Sequence, residues 1–109
     1  MTDDPNSTKS EPLSDWFVYI IISTDDRLYT GITNNLANRW HAHCNTKQGA
    51  KFFRGRSPKT LAYVEQGFNR STASQREAQI KKLTRYKKLD LVATQSSVDW
   101  HLRLDLSQS

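Results

Sequence analysis

FVYII (residues 17–21) and DRLYTGIT (residues 26–33) are short runs of aromatic and β-branched residues, and TDDR (24–27) between them is a turn signal. The pattern predicts an antiparallel hairpin of strands Trp16–Ser23 and Leu28–Thr33. Side chains alternate faces along a strand, and residues opposite one another share a face. A loop with an odd number of residues, for instance Asp25–Arg27, therefore places Tyr19, Ile21, Tyr29, Gly31 and Thr33 on one face; a loop of four would separate the two tyrosines. Burial accounts for Val, Ile and Leu in such a hairpin. It does not account for two phenols beside a glycine.

The rest of the chain reads outward from this hairpin. Asn34 or Asn35 is an N-cap for the helix LANRWHAHC (36–44), with Leu36, Trp40 and Cys44 on its core stripe and Arg39 and His43 one turn apart at its edge. NTKQGAKFFRGRSP (45–58) is a basic, glycine-containing loop or broken helix. TLAYVE (60–65) is a third strand. Ser71 or Thr72 opens a second long helix, Thr72 and Gln75 fitting a capping box, and its stripe Ala73, Ile80 and Leu83 also runs through Glu77. Thr84 caps RYKKLDLVA (85–93). The tail VDWHLRLDL (98–106) alternates with period two and predicts an extra strand at 98–104. The fold class expected is α/β (α+β): a small three-stranded, mostly antiparallel sheet flanked by helices. It occupies residues 15–93, between a disordered N-terminal tail (1–14) and a C-terminal extension (94–109).

A chain of 109 residues makes one small domain. Its single cysteine, Cys44, allows neither an internal disulfide nor a cysteine-based zinc site, and is read as helix core. MTDDPNSTKSEPLSD resembles neither a signal peptide nor a membrane span, so a cytoplasmic, non-membrane protein is expected. Between Arg27 and Lys88 there are fourteen Lys and Arg against only Glu65 and Glu77, an excess of twelve positive charges. Such a domain attracts polyanions by counterion release, which makes nucleic acid the leading partner class.

Taken in order, VYI, YTG, a helix carrying Arg39, the GAKFFRGRSP loop and a later helix carrying Glu77 in REAQIKKLTR resemble the GIY-YIG nuclease superfamily, in its small stand-alone bacterial branch. VYI departs from Gly-Ile-Tyr and YTG has threonine for the central isoleucine, but both tyrosines and the second glycine stand. The resemblance implies an endonuclease hydrolysing phosphodiesters with one Mg²⁺ or Mn²⁺ ion. The substrate would be DNA rather than RNA, chosen by structure rather than sequence, in a setting such as DNA repair or recombination. Glu77 would be the single protein ligand to the metal, Arg39 would fork onto the scissile phosphate, and Tyr19, made more acidic by nearby cations, would be general base or water-orienting group. Tyr29 would orient the nucleophile or a phosphate oxygen, and His43 would take the tyrosine's proton or touch phosphate. Gly31 would let its strand approach the phosphate closely. Lys51, Arg54, Arg56, Lys59, Lys81 and Lys82 would track the nucleic-acid backbone.

Plainer readings compete. Tyrosine in a strand commonly packs, Glu77 can pair with Lys81 at i,i+4, and the basic loop can be a solvated surface. Phe52 and Phe53 either stack on bases or anchor the loop, with anchoring favoured for at least one. Trp100 and His101 are read as packing. The alternatives to an active nuclease are a non-catalytic basic nucleic-acid-binding module, or a subunit active only with a protein partner. As an enzyme, the chain is expected to be a monomer or weak homodimer.

Overall fold

The computed structural model describes residues 15–45 and 50–106; the expected N-terminal tail and Lys47 and Gly49 of the basic loop lie outside the described residues. Eight consecutive strand residues, Trp16–Ser23, form β1, and Leu28–Thr33 form β2. They pair antiparallel, with Tyr19 opposite Gly31 and Ile21 opposite Tyr29. The loop is odd, as the parity argument requires, but lies one residue earlier than in the example above, at Thr24–Asp26. Ser23 and Arg27 close it (Ser23 N–H to Arg27 C=O, 2.8 Å), Asp26 N–H bonds the Ser23 carbonyl at 2.9 Å, and Asp26 takes the left-handed φ of 65°. This is the three-residue hairpin of a type I turn followed by a left-handed residue. Buried Ser23 reinforces it, its hydroxyl accepting from Arg27 N–H at 3.0 Å and donating to Asp25.

The third strand, β3, spans Pro58–Phe68 and pairs antiparallel with the other side of β1, giving the order β2-β1-β3. It is longer than the TLAYVE stretch because register irregularities against β1 absorb residues that would otherwise end the pairing. Gly67, at φ 94°, lies inside one of them, just before Phe68 meets Trp16.

Both faces of β1 are covered. On one, Tyr19 and Ile21 join Leu36, Trp40, Phe53, Leu61, Val64 and Leu106; on the other, Val18 and Ile20 join Tyr63, Ala73 and Ile80. Helix α1 (Leu36–Cys44) serves the first face, N-capped by the Asn35 side chain, which accepts from Asn38 N–H at 3.0 Å. Its buried stripe is Leu36, Trp40 and His43, whereas Cys44 is exposed, correcting the expected assignment. At 100° per residue a step of seven returns within about 20° of the starting direction and a step of eight overshoots by about 80°.

Helix α2 (Arg70–Lys81) serves the second face, mainly beneath the edge strand β2. It starts before the expected Ser71 or Thr72. Asn69 is the N-cap, accepting from Thr72 N–H at 2.8 Å while the Thr72 hydroxyl accepts from Asn69 N–H at 3.0 Å, so Thr72 is the far partner of the capping box and not its cap. Glu65 of β3 holds Arg76 of α2 through two 2.8 Å bonds and accepts from the Tyr63 hydroxyl at 2.5 Å. Burial would raise the Glu65 carboxyl, but the bonds from Arg76 and Tyr63 outweigh it and hold the group below the usual carboxylate range. Burial and that same carboxylate push the Tyr63 phenol up to about 12.

Thr84 caps α3 (Arg85–Ala93) as the sequence predicts. The extra strand at 98–104 does not form. Asp99 caps a short helix, α4 (Trp100–Arg103), by accepting from Leu102 N–H at 3.0 Å, and Leu102 on the alternating apolar side is 79% exposed. The outer edge of β3 is closed by side chains instead. His101 Nε2 accepts from Leu61 N–H at 2.9 Å, and the Gln95 amide spans both Val64 backbone groups at 3.0 and 2.9 Å while accepting from Trp100 Nε1 at 2.9 Å. Covering an edge strand blocks its pairing with another chain. Among the described residues no helix is long and apolar enough to cross a membrane.

Candidate functional site

Gly31 decides how the tyrosine face is built. A Cβ placed on it would lie 2.5 Å from the Tyr19 hydroxyl oxygen, 2.7 Å from Tyr19 Cζ and 2.9 Å from Tyr29 Cε2. The Tyr19 ring therefore lies across Gly31, and only glycine leaves it room. The close approach that Gly31 permits in this structure is that of the Tyr19 phenol.

Tyr19 is 2% exposed and His43 fully buried, and the Tyr19 hydroxyl lies 2.9 Å from His43 Nε2. The other ring nitrogen, Nδ1, accepts from Ala50 N–H at 3.3 Å. An imidazole nitrogen that accepts carries no proton, so this hydrogen-bond network assigns the single proton of the neutral ring to Nε2. His43 thus donates to the Tyr19 oxygen, and the phenolic hydrogen of Tyr19 is left to donate onward. Burial, with a smaller contribution from Arg39, lowers His43 to about 4 and keeps the ring neutral at ordinary pH. In that tautomer the nitrogen facing Tyr19 carries the proton, and His43 is the donor of the pair.

The ionisation of Tyr19 also runs against expectation. Burial, then the neighbouring Tyr29, push its phenol well above the ordinary range, and Arg39 offsets only part of this. The space between Tyr19, Arg39 and Trp40 has no room for a water-sized sphere. Cations near a phenol favour the phenolate only where the charge is solvated or directly paired; here desolvation wins.

Tyr29 is half-buried, with ring centroids 5.2 Å from His43, 5.2 Å from Phe52, 5.3 Å from Phe53 and 6.2 Å from Tyr19. Phe53 is buried completely and is the anchor of the basic loop, at the end of a 3-10 turn, Lys51–Phe53. Arg39, on α1, is half-exposed. The structure therefore brings together Tyr19, Tyr29, His43 and Arg39.

Glu77 is not a member of that hydrogen-bonded cluster. It lies on the sheet-facing stripe of α2 between Ala73 and Ile80, with its side chain 23% exposed and Oε2 3.3 Å from Lys81 Nζ. No group of three or more His, Cys, Asp or Glu that could chelate a metal occurs among the described residues. A cation here would have one protein carboxylate. That donor chemistry fits a hard, largely hydrated ion such as Mg²⁺ and does not fit zinc.

The basic residues divide. Lys51, Arg54 and Lys82 are exposed. Arg56 is tied down: its guanidinium bonds Asp25 at 3.2 Å and the Phe52 carbonyl at 2.8 Å and lies 4.7 Å over the Phe52 ring. Lys59 lies 3.5 Å from Asp26, and Lys81 is the partner of Glu77. The hairpin turn thus neutralises part of the loop. Asp25 is held below its usual range by the Ser23 hydroxyl and by Arg56. Sequence reasoning passed over the Ala50 N–H, which sets the His43 tautomer, and Tyr86, an aromatic 81% exposed within the basic Lys81–Lys88 run.

The chain is similar to a known domain family and to several known proteins. The model of the GIY-YIG catalytic domain matches residues 15–90. The UPF0213 protein CPE1444 of Clostridium perfringens is 50% identical over 80 residues, 73% of this chain and 85% of that protein. The UPF0213 protein YhbQ of Salmonella arizonae is 40% identical over 87 residues, 80% of this chain and 86% of that protein. The solution structure of the UPF0213 protein BH0048 of Bacillus halodurans is 32% identical and covers 86% of this chain and 98% of that one, with a TM-score of 0.49.

Proposed function

The chain belongs to the GIY-YIG catalytic-domain family, a nuclease-type family, and from that premise we propose that it is a divalent-metal-dependent endonuclease acting on DNA. The observation that carries the proposal is the directed hydrogen-bond chain from Ala50 N–H through His43 to Tyr19, ending beside Tyr29 and Arg39 on one sheet face. A buried polar chain of this kind costs stability unless fully satisfied, and a packing tyrosine needs none of it.

Phosphodiester hydrolysis needs an activated water, charge stabilisation on the phosphorane-like transition state and help for the leaving oxygen. In this reading Tyr19 stays neutral. It receives a hydrogen bond from His43 and donates its own hydrogen toward Tyr29, so that the Tyr29 hydroxyl, nearer the solvent, is left to donate its hydrogen and orient the attacking water or a phosphate oxygen. Arg39 places its fork on the non-bridging oxygens. Glu77 would hold the metal, which supplies Lewis-acid stabilisation of phosphate charge when bound. In this reading Glu77 would reach the phosphate around the edge strand β2, beneath which its helix α2 lies. The exposed cations Lys51, Arg54 and Lys82 serve the backbone of the nucleic acid. Selection by shape or strand discontinuity, as in repair or recombination intermediates, suits a surface that meets the nucleic acid through phosphate contacts rather than base edges.

The test is purified protein with Mg²⁺ or Mn²⁺ on duplex, nicked, flapped, branched and single-stranded DNA and on RNA, beside Glu77→Ala, Tyr19→Phe and Tyr29→Phe. Cleavage of a discontinuous DNA that all three substitutions abolish is expected. Cleavage surviving them would come from another enzyme. Binding without cleavage by the wild type on every substrate would favour the non-catalytic module, and cleavage gained only on adding a protein partner would favour the subunit reading.

A further inference from the structure

A cleft of about 240 Å³ opens between the hairpin turn and α3, lined by Arg27, Leu28, Phe52, Arg85 and Lys88. Its walls carry three cations and no acid. Arg27 has Asp25 3.4 Å away, but Asp25 is shared with Arg56 at 3.2 Å, while Arg85 and Lys88 pair with no carboxylate among the described residues. Like charges facing one cleft repel, so an anion placed between them relieves the repulsion as well as gaining attraction. The floor is apolar and half-buried, Leu28 on one side and Phe52 on the other.

We infer that this cleft is a second subsite, which takes a phosphate and the adjoining sugar or base of an unpaired nucleic-acid strand leaving the tyrosine face. The inference rests on the nuclease reading and extends it to how the substrate is held. Phe52 joins the two places: its ring lines the cleft and lies 5.2 Å from the ring of Tyr29. A strand whose phosphate meets Arg39 beside Tyr29 would pass over Phe52 to bring a neighbouring phosphate to Arg85 and Lys88. The volume is below the roughly 300–1,000 Å³ of small-molecule pockets, which suits one nucleotide unit and not a duplex. An aromatic floor under a cationic rim is also the composition that holds single strands without reading sequence.

The experiment measures binding of a 12-nucleotide single strand and a blunt 12-base-pair duplex by fluorescence anisotropy at several salt concentrations. The full chain is made cleavage-silent by Tyr29→Phe and Glu77→Gln, with and without Arg85→Ala and Lys88→Ala. Both added substitutions lie on the surface of a capped helix, and circular dichroism checks that it persists. Single-strand affinity is expected to fall tenfold or more, with the slope of log affinity against log salt shallower by about 0.7 to 1.5, and duplex affinity to fall less. Arg70→Ala with Arg103→Ala, which removes the same charge from residues packed on Trp16 and Trp100, is expected to change binding less than threefold. Unchanged single-strand binding, equal losses for strand and duplex, or an equal loss in the control pair would each overturn the subsite. A selective loss in a protein whose wild type cleaves nothing would leave the subsite standing and remove the hydrolytic reading; no nucleic-acid binding by the wild type removes both.

Discussion

His43 makes a prediction whose size follows from the structure. The unfolded chain holds its imidazole at the ordinary pKa of 6.5, while the folded chain lowers it to about 4. Between these values the unfolded state binds more protons, so stability is fully present above pH 6.5 and is lost as pH falls toward 4. For one group with these two constants the loss is about 2 kcal/mol between pH 7 and pH 5, and about 3 kcal/mol by pH 4. Protonation also puts a hydrogen on Nδ1, where Ala50 N–H now donates, so that contact becomes donor against donor. His43→Gln removes the titration while its amide can still donate to Tyr19. Urea unfolding at pH 7 and pH 5, at constant ionic strength, should give a wild-type loss exceeding that of the variant by about 2 kcal/mol. The subtraction cancels His41, His101 and the carboxylates. Equal losses in the two proteins, or an NMR titration that finds the His43 ring protonating near pH 6.5, would refute the buried neutral imidazole and with it the direction of the Tyr19 hydrogen bond.

Gly31→Ala should destabilise by about 1–3 kcal/mol, because a methyl at 2.5 Å from the Tyr19 hydroxyl oxygen and 2.9 Å from the Tyr29 ring forces both side chains aside; the loss should shrink in a Tyr19→Phe background, measured by a double-mutant cycle. Glu77→Gln should abolish cleavage yet move the urea midpoint by less than the equivalent of about 0.5 kcal/mol, since an i,i+4 pair with the exposed Lys81 contributes little and glutamine keeps the same shape. Gln95→Ala should cost about 1–3 kcal/mol by leaving both Val64 backbone groups without their partner, and light scattering should detect association through the uncovered β3 edge.

What was legible in the sequence was whatever depends on neighbours along the chain. Period-two patterning and turn chemistry placed the hairpin, and parity alone put Tyr19 and Tyr29 on one face; the cap residues Asn35 and Thr84 were read correctly because a cap acts within one turn of its helix. Two errors were local, the face given to Cys44 and the cap of α2; the others were decided by groups distant in sequence. Arg56 and Lys59 counted as free cations until the turn brought Asp25 and Asp26 against them. The alternating tail looked like a strand because nothing local showed that Gln95 and His101 would occupy the β3 edge such a strand needs. Tyr19 is the instructive case. Counting charges around it gave the wrong sign, since a charge count ignores solvent, and the packing that excludes solvent comes from three separate places: Gly31 beneath the ring, His43 beside the hydroxyl and Trp40 along the dry side. In the proposed function a neutral Tyr19 is not the base, and the contact with water or phosphate falls to the half-exposed Tyr29. A family motif thus names both phenols, but only burial separates them, Tyr19 enclosed and Tyr29 open to solvent on one side.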